Sequence, residues 1–217
     1  MIMPLANDRD RKTQVLWGIR DFESRFKRKP EGMWLPETAA DLQSLEALAQ
    51  QGIRFTILAP RQAQRIRKIG EKEWIDISGE RIDPKQAYQC GLPSGRTIAL
   101  FFYDGPISKD IAFGNLLDDG GVFARRLAGV FEAGPHPQIV HVATDGESYG
   151  HHHRFGDMAL AFCLKELQSK HNVRLTVYGE FLEAHPPEYE VEIAENSSWS
   201  CVHGVERWRA DCGCCSG

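Results

Sequence analysis

The chain has 217 residues, 42% of them hydrophobic and 26% charged, enough apolar material for a folded core and too much for a disordered tail. Its formal net charge of -4, with acids and bases interspersed, offers no basic face to nucleic acid, and no apolar run is long enough to span a bilayer. Met1 to Lys12 has no long apolar stretch behind a basic start, so no secretory signal is read there and a cytoplasmic location is expected.

In chain order, a short apolar run from Ile2 to Ala6 comes first. Arg11 to Phe26 reads as a helix, with Val15, Ile19, Phe22 and Phe26 three and four residues apart, and Pro30 and Gly32 break it. Gly32 to Leu35 reads as a short strand ending at Pro36-Glu37. Thr38 to Gln51 is the clearest helix, with Thr38 and Asp41 as a capping pair, a stripe of Leu42, Leu45, Leu48 and Ala49, and Gly52 as its stop. Phe55 to Ala59 is the next strand. Residues 61–96 are less periodic and read as an excursion carrying a small hairpin around Trp74 to Ile77. Ile98 to Tyr103 is a buried strand, Gly114 to Glu132 a helix, and Ile139 to Ala143 a strand running into Thr144-Asp145-Gly146-Glu147. Arg154 to His171 reads as a helix and Leu175 to Tyr178 as a strand.

Short apolar strands alternating with helices predict an α/β fold with a parallel sheet or barrel. No glycine-rich turn follows the first apolar run, which disfavours a dinucleotide-binding fold and favours a barrel. Barrels carry their chemistry where strands end, and two strand ends here are acidic, at Glu37 and Asp145. A pair of carboxyl groups is what glycosidic cleavage needs: in a retaining enzyme they lie about 5–5.5 Å apart, one attacking the anomeric carbon and the other protonating the leaving oxygen. The competing reading makes Glu37 a plain helix N-terminal acid, favoured by the dipole. The loop from Gly146 to His153 holds three consecutive histidines, which cannot all point one way, so no metal is expected there. A metal-dependent carbohydrate deacetylase using Asp145 and these histidines is the second functional reading. Residues 195–209 crowd Trp199, His203 and Trp208 among hydrogen-bonding side chains, as a sugar subsite would or as a surface loop over an apolar patch. Of six cysteines, Cys90, Cys163, Cys201, Cys212, Cys214 and Cys215, four crowd the C-terminus; Cys-x-Cys-Cys is not a standard zinc spacing, and they read as reduced thiols.

Gly32-Met33-Trp34-Leu35-Pro36-Glu37 resembles the motif around the nucleophile of glycoside hydrolase family 57. Thr144-Asp145-Gly146-Glu147-Ser148-Tyr149-Gly150 resembles that family's aspartate motif, Ser198-Trp199 to His203-Gly204 is similar to a later one, and Met3 to Ala6 to the tail of an early one. The resemblance implies an incomplete (β/α)7 barrel of mostly parallel strands spanning residues 1–209, with 61–96 as an excursion and 210–217 as a cysteine-rich tail. It further implies a retaining enzyme acting on α-glucans, with Glu37 as nucleophile, Asp145 as acid/base, and neither cofactor nor catalytic metal. Trp34, His141, Glu147, His151, Trp199 and His203 are the expected sugar-site residues. The expected partner is a carbohydrate substrate, with no nucleic acid and no membrane. The family's opening histidine motif has no counterpart here, so the chain is expected to be truncated at both ends, with exposed sheet edges through which copies associate. On that footing a non-catalytic carbohydrate-binding remnant is the third reading.

Overall fold

The computed structural model describes residues 1–171 and 173–214; Cys215, counted above with the C-terminal thiols, lies outside the described residues. The chain divides into two compact units. The first comprises Met1–Asp83, Ala87–Phe102 and the chain from His185 on; the second comprises Pro84–Gln86 and Tyr103–Ala184.

In the first unit, α1 (Asp8–Phe26) starts at Asn7, whose side chain accepts the Asp10 N–H, and α2 (Leu42–Gln50) starts at Asp41, whose carboxylate accepts the Ser44 N–H. They pack with a six-stranded sheet whose order is β1-β5-β4-β6-β2-β3. The strands are β1 (Phe55–Leu58), β2 (Ala63–Lys68), β3 (Ile75–Asp76), β4 (Ala87–Gly91), β5 (Thr97–Phe102) and β6 (Tyr189–Ile193). Along β5 the side chains alternate: Ile98, Leu100 and Phe102 join Val15, Leu45, Leu48, Leu58 and Tyr88 in the main apolar cluster, while Phe101 meets the edge of Phe55 with ring centroids 5.7 Å apart.

The second unit is helical: α3 (Gly105–Phe113), α4 (Gly120–Ala128), α5 (Gly156–Lys170) and α6 (Tyr178–Ala184). Asp104 caps α3 and Asp119 caps α4 through their carboxylates. Ile107, Ile111, Leu117, Phe123, Cys163 and Leu167 form its core. Gly120 lets α5 come close, since a Cβ there would lie 2.6 Å from the Ala159 carbonyl oxygen. None of the described helices is long and apolar enough to cross a membrane.

Several expectations need correcting. The sheet is mixed rather than mostly parallel: β1/β5 and β4/β6 run parallel, but β4/β5, β2/β6 and β2/β3 run antiparallel. The cause is the stretch 61–96, which is not an excursion from the sheet but supplies β2, β3 and β4, and hairpin-linked strands pair antiparallel. The sheet order is open, so the arrangement shown is a mixed α/β fold. Ile139 to Ala143 is extended but forms no strand; its backbone is held by Lys85 and Asp104 and by the Ser108 hydroxyl. Leu175 to Tyr178 is not a strand either but leads into α6, and Gly114 to Glu132 resolves into a 3-10 turn followed by the shorter α4. Gly32 to Leu35 makes a single parallel bridge, Gly32 to Phe55, and Ile2 to Ala6 is a 3-10 turn. The helix after Glu37 begins four residues later than the Thr38 start, at Leu42, and of the expected capping pair only Asp41 serves, as its N-cap.

Candidate functional site

Glu37 stands in the first unit on a turn, Pro36–Thr38, with φ 58° and ψ 19°, and Thr38 follows at φ 49°. Two successive non-glycine residues in the left-handed region cost on the order of 1–3 kcal/mol each and persist only where neighbours enforce them. The neighbours here are identifiable. Ala40 and Ser197 exchange two backbone hydrogen bonds, at 3.0 and 3.2 Å, and the Trp199 N–H donates to the Glu37 carbonyl at 3.1 Å. Gln62, fully buried, receives the Thr38 hydroxyl at 2.8 Å and the Ala59 N–H at 2.9 Å, and donates to the Thr38 carbonyl at 2.8 Å and the Ser197 hydroxyl at 3.0 Å.

The side chain of Glu37 is as defined as its backbone. Trp199 Nε1 donates to Oε2 at 3.0 Å, and Oε1 has no partner among the described residues. Trp34 stands edge-on to Trp199 with centroids 5.1 Å apart, and 42% of Trp34 is exposed, so an aromatic face is open beside the carboxylate. Trp34, Glu37 and Trp199 are therefore one cluster. The helix-dipole reading of Glu37 does not hold: the acid on the first N–H of α2 is Glu195, 3.2 Å from the Leu42 nitrogen.

In the second unit, Asp145 and Glu147 are exposed on the turn Gly146–Tyr149, which the Thr144 hydroxyl steadies by donating to Tyr149 Oη at 3.0 Å. The Glu147 carbonyl accepts the N–H groups of His151 and His152. His151 and His152 are exposed, whereas His153 turns Nε2 to the Ala112 carbonyl at 3.1 Å. His141, expected to face sugar, is buried: Nδ1 is 3.0 Å from Tyr178 Oη and Nε2 3.2 Å from the Pro84 carbonyl oxygen. A carbonyl only accepts, which assigns the proton to Nε2 and makes Tyr178 the donor to Nδ1. Burial pushes the Tyr178 phenol well above its usual value, in keeping with that role. Both ring nitrogens of His141 are thus engaged within the second unit.

His203 Nδ1 faces Cys201 Sγ at 3.6 Å and Cys214 Sγ at 3.3 Å. Among the described residues, Cys201, His203, Cys212 and Cys214 form the group able to hold a metal ion, all four ligand atoms lying within 4.8 Å of one another. Reading the cysteines as Cys-x-Cys-Cys hid this arrangement. The signal in the chain is two x-spaced pairs, Cys201-x-His203 and Cys212-x-Cys214. Cys90 and Cys163 are different: burial pushes their thiols up to about 12 and about 11, which leaves them unreactive. Gln62 was also missed, and an isolated glutamine in a basic stretch carries no motif by which to find it.

The model of glycosyl hydrolase family 57 matches residues 1–194. The chain belongs to this family. Among solved structures, this family 57 chain is similar to a branching enzyme of Pyrococcus horikoshii, with a TM-score of 0.74 and 19% identity, covering 97% of this chain and 48% of that one. It is also similar to the 4-α-glucanotransferase of Thermococcus litoralis, with a TM-score of 0.65 and 18% identity, covering 92% of this chain and 27% of that one. At such identities the likeness shows the fold, and the family 57 chain spans half or less of either enzyme. A segment of 103 residues is 33% identical to human ubiquitin-associated and SH3 domain-containing protein A, covering 45% of this chain and 14% of that protein, a share that carries no function across.

Proposed function

We propose that this chain is catalytic machinery of a retaining enzyme acting on α-glucans, with Glu37 as nucleophile and Asp145 as acid/base. Glu37 attacks the anomeric carbon while Asp145 protonates the departing glycosidic oxygen, leaving a glycosyl ester on Glu37. Water or a glucan hydroxyl then attacks the same carbon, Asp145 takes up its proton, and Glu37 leaves, so configuration is retained overall. Trp34 and Trp199 offer apolar faces to the sugar, and Glu147 and His151 lie on the loop that carries the acid. The relatives named above, a branching enzyme and a glucanotransferase, support an α-glucan substrate.

The observation that carries this reading is the backbone of Glu37. A carboxylate held in the left-handed region, braced by Gln62 and Ser197, with one oxygen bonded by Trp199 and the other without a partner among the described residues, supports a role in attack on a ligand. Chemical rescue tests it. Glu37→Ala should abolish turnover, and azide should restore it with a glycosyl azide of inverted configuration. Asp145→Ala should still turn over a glycosyl fluoride, whose leaving group needs no proton. The inverted azide arising from Asp145→Ala instead would reverse the two roles, and full activity of both variants would end the proposal.

A further inference from the structure

We propose that Cys201, His203, Cys212 and Cys214 bind one zinc ion, a closed structural site that fastens residues 200–214 beside Trp199. Three sulfurs and an imidazole nitrogen are the donor set of structural zinc sites, which use four protein ligands in a tetrahedron and keep no open position. The spacing fits a single ion. Zn–S bonds of about 2.3 Å and Zn–N bonds of about 2.0–2.1 Å make tetrahedral edges of about 3.8 Å between sulfurs and about 3.6 Å between sulfur and nitrogen. Cys201 Sγ lies 3.8 Å from Cys212 Sγ and 3.6 Å from His203 Nδ1; the pairs Cys201–Cys214 and His203–Cys214 are slightly tighter, at 3.2 and 3.3 Å.

Other occupants fit less well. Mg²⁺ and Ca²⁺ take oxygen ligands, and this group offers none. A Cys201–Cys214 disulfide, about 2.05 Å between sulfurs, would use two groups and leave Cys212 and the imidazole of His203 gathered for nothing. The His203 N–H also donates to Cys201 Sγ at 3.3 Å, an outer hydrogen bond of the kind that steadies a ligating thiolate.

The placement gives the ion a purpose. Cys201 is two residues from Trp199, whose backbone and indole both donate to Glu37. Gly204, at φ 60°, turns the chain where a Cβ would lie 2.0 Å from the Asn196 carbonyl oxygen, so the ligand loop folds tightly back on the stretch that leads to Trp199. Zinc closes this loop onto the following segment, as an intrachain cross-link.

Metal content is read without substrate and so stands apart from the catalytic roles of Glu37 and Asp145. The full chain, purified with reductant, should carry about one zinc per molecule by mass spectrometry of the metal. Co²⁺ exchanged into it should show thiolate charge-transfer absorption and the strong visible bands of a tetrahedral ion. Cys212→Ser and Cys214→Ser should each lose stoichiometric zinc, Cys163→Ala should keep it, and His203→Cys should keep it while shifting the cobalt bands. Hydrogen exchange of residues 199–209 should speed up when a chelator removes the ion. The wild-type measurements need no variant to fold. Wild-type protein that takes up neither Zn²⁺ nor Co²⁺ after full reduction, or Co²⁺ bound without thiolate bands, overturns the proposal; so does a Cys201–Cys214 disulfide whose reduction yields no metal uptake.

Discussion

The strain at Glu37 and Thr38 has to be balanced by specific contacts, and Gln62 makes the largest set of them. Its amide uses both donors and accepts twice, so every member of this buried group is satisfied. Replacing it with an apolar side chain of similar length, Gln62→Met, strands the Thr38 hydroxyl and carbonyl and the Ala59 N–H. Each group left unpaired in the interior costs roughly 1–3 kcal/mol. We expect a urea midpoint clearly below wild type and, where Glu37 is the nucleophile, a fall in kcat larger than any change in KM. An unchanged midpoint would show that Ser197 and Trp199 alone hold the turn. At this scale the sequence was only partly readable. Trp34 and Glu37 could be picked out as chemistry-bearing side chains in one motif and Trp199 in another, 162 residues from Glu37. Gln62 could not, because its role exists only through partners 24 and 135 residues away.

Among the elements, α2 shows how a correct helix can be read with the wrong start. Its apolar stripe is local and survives in the fold, and its cap is local too, Asp41, which takes the Ser44 N–H; the Leu42 N–H is taken by a tertiary partner, Glu195, from the far end of the chain. Burial pushes the Glu195 carboxyl up; the Leu42 N–H opposes this, and the Asp41 charge adds to it. A carboxyl whose folded pKa is raised favours folding in its protonated form, so that contribution is present at acid pH and is lost as pH rises through the raised value. Glu195→Gln keeps an acceptor for Leu42 and removes the charge. The group is partly solvated, so the effect is small, a few tenths of a kcal/mol. The variant should melt slightly above wild type at pH 7 and together with it near pH 4; a lower midpoint at pH 7 would mean that the helix dipole outweighs the burial cost. The stretch Ile139 to Ala143 misled for a related reason. It has the apolar run of a buried strand, but its backbone groups find loop and side-chain partners, and a composition pattern cannot tell those from a ladder.

For the molecule as a whole, the strand that joins the two parts of the open sheet is the last in the chain. The chain leaves the first unit after Phe102 and returns at His185, and β6 then lies between β4 and β2. Tyr189, Val191 and Ile193 alternate with Glu190 and Glu192, a pattern that was present in the sequence but too short to mark a strand, since what defines β6 is pairing with residues 63–68. That pairing is also what joins the β2–β3 hairpin to the rest: β2 has only β3 and β6 as neighbours in the sheet order. A two-stranded hairpin is marginal in water by itself, and Val191 and Ile193 belong to the main core. A chain ending at Ala184 should therefore lose the hairpin's attachment and part of that core, and its thermal melt by circular dichroism should be broad and without a cooperative step. A chain ending at Arg209 keeps β6, the Ala40–Ser197 pair and Trp199 on Glu37, and lacks only Cys212 and Cys214 of the proposed zinc ligands. It should melt cooperatively, at a midpoint below the intact chain and indifferent to chelator, whereas the intact chain's midpoint should drop on chelation. A cooperative melt from the chain ending at Ala184, at the intact midpoint, would show that β6 does not hold the sheet together.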